Sequence, residues 1–191
     1  MPPRSVTETI VSVSIGRVTD SRKEQLLDLA HAYVRESGLA DLSLRPLAAA
    51  IGSSPRVLLY LFGSKDGLVR ALLARARADQ LRLLAALPDQ DLPATARTVW
   101  SWLRDPGHRS LVTLWSEAYA RSLVDRDGPW AGFAERTVAD WLEFLAARQP
   151  APERRTARGL AARTAVLSAL RGALLDLLAT GDEQRTTAAL R

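Results

Sequence analysis

The chain has 191 residues, 47% of them apolar, which suffices for a buried core and marks a globular rather than a disordered protein. It contains no cysteine and two histidines, which excludes disulfide frameworks, zinc–thiolate sites and cysteine nucleophiles and leaves almost no ligands for a metal centre. The net charge of +5 sits in the first half: residues 1–87 hold 12 Lys/Arg against 8 Asp/Glu, residues 88–191 hold 14 against 13, and no carboxylate lies between Leu42 and Lys65.

In chain order, the apolar residues of positions 1–20 are interrupted by Thr, Ser and Glu and follow no basic start, so they do not read as a secretory signal. They are expected to form a flexible tail. No run approaches the length that crosses a bilayer, so a cytoplasmic protein without a membrane partner is expected. Ser21 and Glu24 stand in capping-box spacing, Leu26, Leu27, Ala30, Tyr33 and Val34 recur at helical intervals, and Gly38 ends a first helix over 21–37. His31 is expected at its surface or boundary.

Ser43 reads as the N-cap of a short second helix, with Leu42 and Leu47 spaced as a hydrophobic staple and Pro46 in the first turn, where no N–H is needed. Leu47, Ala50 and Ile51 form its expected inner face, and Gly52 ends it. The stretch SSPRVLLYLFGSK (53–65) follows: Ser54 caps, Pro55 takes the first helical position, and Gly63 terminates. Two helices joined by so tight a turn are a helix-turn-helix. Ser64 caps a fourth helix running to about Leu87, with Asp66 in its first turn. Further helical patterns span 91–104, 108–125, 129–148, 152–179 and 182–191, separated by turn clusters containing Pro or Gly. The predicted class is all-α, with a tail (1–20), a three-helix helix-turn-helix domain (21–66) and a larger helical domain (67–191).

A helix that reads DNA fixes itself to phosphates and shows a few side chains at its N-terminal end to base edges. In residues 54–62, Leu58, Leu61 and Phe62 would anchor one face. Ser54, Arg56, Tyr60 and, one step on, Lys65 would meet the duplex.

Residues 26–73 resemble the N-terminal domain of the TetR/AcrR family of bacterial transcriptional regulators. The resemblance rests on Glu36-Ser37-Gly38, Ser43-Leu44-Arg45-Pro46-Leu47-Ala48, Ala50-Ile51-Gly52-Ser53-Ser54 and Leu58-Leu59-Tyr60-Leu61-Phe62-Gly63-Ser64-Lys65, matched without gaps. It implies DNA contacts from Ser43, Arg45, Ser54, Pro55, Arg56, Val57, Tyr60 and Lys65. Arg45, Tyr60 and Lys65 would meet phosphates, Arg56 a guanine edge and Val57 a thymine methyl. Pro46, Val57, Leu59 and Leu61 depart from the family's acid, threonine, first tyrosine and histidine, so several polar contacts are absent.

The resemblance further implies a C-terminal domain that binds a small effector and pairs through its last two long helices. Trp100, Trp115, Tyr119 and Trp141 are the candidate pocket residues, although plain core packing explains such aromatics equally well. His108, Glu117, Arg121 and Asp140 are nearby polar groups that could orient a ligand. In 152–179, Leu160, Leu167, Leu170, Leu174 and Leu177 form one stripe; Ala162, Ala165, Ala169, Gly172 and Ala173 form a second, expected at a dimer interface. A mid-helix glycine costs roughly 1 kcal/mol relative to alanine, which favours a close neighbouring backbone at Gly172.

The expectation is a homodimeric repressor released from a double-stranded DNA operator by a small-molecule effector, without cofactor, metal or enzymatic activity; no Gly-rich phosphate loop or Ser-His-Asp set is present to suggest catalysis. The rival is a helical ligand-binding dimer that no longer binds DNA.

Overall fold

The computed structural model describes residues 6–39 and 41–190, and side chains from Asp20 onward. Among the described residues the regular structure is helical, as the composition implies: α1 (Val6–Ser37), α2 (Leu44–Ala50), α3 (Pro55–Phe62), α4 (Lys65–Ala86), α5 (Leu92–Leu103), α6 (Arg109–Val124), α7 (Phe133–Ala147), α8 (Ala157–Thr180) and α9 (Glu183–Ala188), with a 3₁₀ turn at Pro106–His108. They form two compact units, Met1–Ala74 and Arg75–Arg191, so the division falls inside α4.

Of the tail expected over 1–20, residues 1–5 lie outside the described residues. From Val6 the backbone is helical, so the helix does not begin at Ser21 as its capping-box spacing suggested. Nothing interrupts it: after Pro3 the next proline is Pro46, and an existing helix extends at the cost of fixing one residue per bond.

In the first unit, Leu26, Ala30 and Val34 of α1 are fully buried. Leu47 and Ala48 of α2, Leu58 and Phe62 of α3, and Leu68, Val69, Leu72 and Leu73 of α4 are buried as well, and α1, α2 and α3 pack against one another. His31, expected at the surface, is buried with 6% exposure beside Ala30. Ala50 is exposed and Ala48 takes the inward place expected for it. At 100° per residue Ile51 and Ala48 lie to one side of Leu47 and Ala50 to the other, so a buried arc running from Leu47 through Ile51 to Ala48 leaves Ala50 outside it.

In the second unit, Val99, Trp100 and Leu103 of α5, Val112 of α6, Trp141 and Leu145 of α7 and Leu167, Leu170 and Leu177 of α8 build the core. Leu160, placed by sequence in the same stripe, is exposed at 46%. Two helices start later than their patterns suggest. The α7 pattern begins at 129, but residues 130–132 are a turn, and buried Ser122 accepts a hydrogen bond from the Ala134 N–H at 3.0 Å, fixing the true first turn. The α8 pattern begins at 152, but the Thr156 hydroxyl accepts from the Gly159 N–H at 2.9 Å and makes Thr156 the cap.

Arg77 of α4 grips Asp140 of α7 through Nε and Nη2, both at 2.6 Å, and the Asp140 hydrogen bonds raise the arginine's pKa above its ordinary value. Asp140→Asn removes the charge and one acceptor and is expected to lower stability by roughly 2 kcal/mol. All five tryptophans lie in this unit, so their fluorescence in urea reads the midpoint directly. An unmoved midpoint would show that the pair behaves as an ordinary surface contact.

Candidate nucleic-acid interface and ligand cavity

The helix-turn-helix is built by local chemistry. At the end of α2 the Gly52 N–H donates to the Ala49 carbonyl at 3.3 Å and the Ser53 N–H to the Ala48 carbonyl at 2.8 Å. This is a Schellman closure, and it needs the left-handed backbone that Gly52 supplies at φ 64°. The chain leaves the turn at Ser54, whose hydroxyl accepts from the Val57 N–H at 3.2 Å, and Pro55 opens α3. Gly63, at φ 79°, ends it. The Ser64 hydroxyl then accepts from the Gly67 N–H at 2.9 Å to start α4.

This frame divides α3 by face. Leu58 and Phe62, four residues apart, are buried; Leu61 is half-buried and anchors less than its position suggested. On the other side Arg56 is exposed, Val57 and Leu59 are about two-fifths exposed, and Tyr60 is 79% exposed. Arg56, Val57 and Tyr60 share one solvent face through their three- and four-residue spacing. Ser43, Arg45 and Lys65 are exposed, while Ser54 and Pro55 are half-buried. Ser43 occupies the N-cap position of α2 without a capping hydrogen bond, so the expected cap is not made and its hydroxyl stays available. Among the described residues, Arg45, Arg56 and Lys65 are paired with no carboxylate.

The second unit holds a cavity of about 210 Å³ walled by α6, α7 and α8 with Gln80 of α4 and Leu103 of α5. Trp115, Tyr119 and Trp141 line it together, with Phe133 and Leu170 among their neighbours. Trp100 does not: it is buried and donates its indole N–H to the Thr187 hydroxyl at 2.9 Å beside a separate opening under α9. None of the four polar residues proposed from sequence to orient a ligand lines this cavity. Asp140 is paired with Arg77, His108 stacks on Trp102 at 3.9 Å with Nδ1 2.9 Å from the Trp102 carbonyl oxygen, and Arg121 is exposed.

The charged group in the wall is Arg171 of α8, which sequence reading missed. The available signal was its register: it lies four residues after Leu167 and three before Leu174, on the apolar side of the helix. Its guanidinium carbon stands 4.8 Å from the centre of the Tyr119 ring, and Nη1 donates to the Tyr119 hydroxyl at 3.3 Å. Burial pulls its pKa below the ordinary arginine value, with Tyr119 acting in the opposite sense. Among the described residues no group of His, Asp or Glu side chains could hold a metal ion, and no helix is long and apolar enough to cross a membrane.

Of the stripe expected at a dimer interface, Ala162, Ala165, Ala169 and Gly172 are exposed along α8. Ala173 is half-buried against its own unit's core and leaves that stripe. A Cβ placed on Gly172 would meet nothing within 4 Å, so no neighbour in this chain requires the glycine.

A first unit with an exposed reading helix, joined through one helix to a cavity-bearing helical unit, defines a two-unit helix-turn-helix protein. Residues 26–72 match the family described as bacterial regulatory proteins, tetR family. The HTH-type transcriptional regulator BetI of Stenotrophomonas maltophilia (strain R551-3) is 31% identical over 99 residues, 41% of this chain; the match spans 50% of that relative's length. The multidrug binding protein EbrR complexed with proflavin has a TM-score of 0.68 and 26% identity over 88% of this chain and 95% of its own. A TetR-family member from Streptomyces coelicolor A3 has a TM-score of 0.64 and 29% identity over 88% of this chain and 94% of its own. The first unit therefore carries a helix-turn-helix like that of the tetR family, and the chain as a whole has the fold of these TetR-family structures.

Proposed function

We propose that the protein is a sequence-specific, DNA-binding regulator of transcription that acts as a homodimeric repressor and leaves its operator when a small molecule fills the cavity of the second unit. The observation that carries the reading is the solvent face of α3, where Arg56, Val57 and Tyr60 project from a helix capped by Ser54 and flanked by the unpaired cations Arg45 and Lys65. Ser43, Arg45, Ser54, Tyr60 and Lys65 would hold phosphates, while Arg56, with Pro55 and Val57 beside it, would address base edges. The exposed small residues Ala162, Ala165, Ala169 and Gly172 would meet their counterparts in a second copy. EbrR has been crystallised with proflavin and with ethidium, which supports assigning a flat organic effector to the cavity of this chain. An effector lowers DNA affinity only by its preference for the conformation that binds DNA less well.

The test is selection of bound sites from random duplex DNA. Enriched near-palindromes with half-site centres about 34–36 Å apart are expected, the spacing of two reading helices in successive major grooves. Failure to enrich any sequence sinks the regulator reading and leaves a ligand-binding dimer. On the selected site, Arg56→Ala should relax base preference at one position per half-site by about 1–3 kcal/mol. A uniform loss over all sequences would make Arg56 a phosphate contact instead.

A further inference from the structure

We infer that the cavity of the second unit takes a small aromatic acid, its carboxylate held by the Arg171 guanidinium; the inference rests on the proposed reading of that cavity as the effector site. Size comes first. A cavity of about 150 Å³ holds a benzene. The 210 Å³ here therefore accommodates one ring with a short substituent and an ionised group. The indoles of Trp115 and Trp141, the Tyr119 ring and the Phe133 ring among the lining residues favour a flat, apolar body.

Charge comes second. Arg171 is the charged residue among those lining the cavity, and no carboxylate lines it. Its Nη2 is buried without a hydrogen-bond partner, and so is the indole nitrogen of Trp115. Withdrawing a guanidinium N–H from water without an acceptor is costly, and arginine cannot escape by losing its proton. The two aliphatic hydroxyls of the wall are already satisfied: Ser116 donates to the Val112 carbonyl and Thr137 to the Phe133 carbonyl, both at 2.8 Å. What Arg171 Nη2 and the Trp115 indole nitrogen lack is therefore an acceptor, and a carboxylate matches a planar guanidinium better than any neutral oxygen does. An organic cation would meet Arg171 with no countercharge in the wall.

The test compares three probes of nearly one shape, 4-ethylbenzoate, 4-ethylbenzamide and 4-ethylbenzylamine, by quenching of tryptophan fluorescence and by calorimetry on the full-length chain. The acid should bind at least tenfold more tightly than the amide, and the amine should bind more weakly than both. Arg171→Met should erase the tenfold preference while keeping or raising the thermal midpoint, because it removes a poorly paired cation from an apolar wall. Arg171→Lys should keep part of the preference, and the comparison of probes on the unsubstituted chain stands even if a variant fails to fold. Amide or amine binding as tight as the acid, no binding of the acid at millimolar concentration, or a preference that survives Arg171→Met would each overturn the inference. Site selection on the same preparation separates the two readings: acid binding without DNA enrichment sinks the regulator alone, and DNA enrichment without acid preference sinks the aromatic acid alone.

Discussion

Replacing Arg45 and Lys65 together by alanine should nearly abolish the salt dependence of operator binding. If each of these two cations neutralises one phosphate in each subunit, the slope of log K against log salt is about −4 for the unsubstituted protein, and affinity falls on the order of 10²-fold between 50 and 200 mM salt. The double variant should bind weakly throughout and with a nearly flat slope. The magnitude depends on the two side chains being exposed and, among the described residues, paired with no acid, so that no internal ion pair has to break before phosphate is met. Titration of a labelled duplex by fluorescence anisotropy measures both slopes. A steep slope that survives in the variant would place the phosphate contacts elsewhere on the molecule.

Gly67→Ala should be the most damaging single methyl addition in the first unit. A Cβ at Gly67 would stand 2.0 Å from the Phe62 carbonyl oxygen, an atom of the backbone that ends α3 and cannot swing aside as a side chain would. Such crowding is expected to cost about 3 kcal/mol, the upper end of the range for overpacked sites. It would either unfold the corner or tilt α3 away from α4. Amide exchange in α3 and the first turns of α4 should accelerate, and operator binding should fall although no DNA-facing side chain has changed. Unchanged exchange and affinity would show that the α3–α4 turn relaxes freely.

The reading helix was legible because each of its determinants is local. Ser54, Pro55 and Gly63 set both ends within ten residues, and the four-residue spacing of Leu58 and Phe62 fixes the buried side, so exposure of Arg56 and Tyr60 follows from one dimension. The start of α1 was not legible, because the capping-box pattern at Ser21 and Glu24 also fits the interior of a longer helix. The cavity was half visible: aromatic residues mark the right unit, but only tertiary packing decides that Trp115 and Trp141 line one cavity while Trp100 faces Thr187. His31 and Arg171 were missed for one reason. A polar residue on an apolar helix face looks like a boundary residue until the neighbours that close over it are known.

The Gly67–Phe62 crowding bears on how such a protein could acquire new targets. Since the close approach at this corner is to a main-chain atom, and Arg56, Val57 and Tyr60 point to solvent, those three positions would, on the proposed reading, be interchangeable parts on a fixed mount. Lineages of this chain could then trade one recognised sequence for another by swapping three outward side chains, without renegotiating the architecture beneath them.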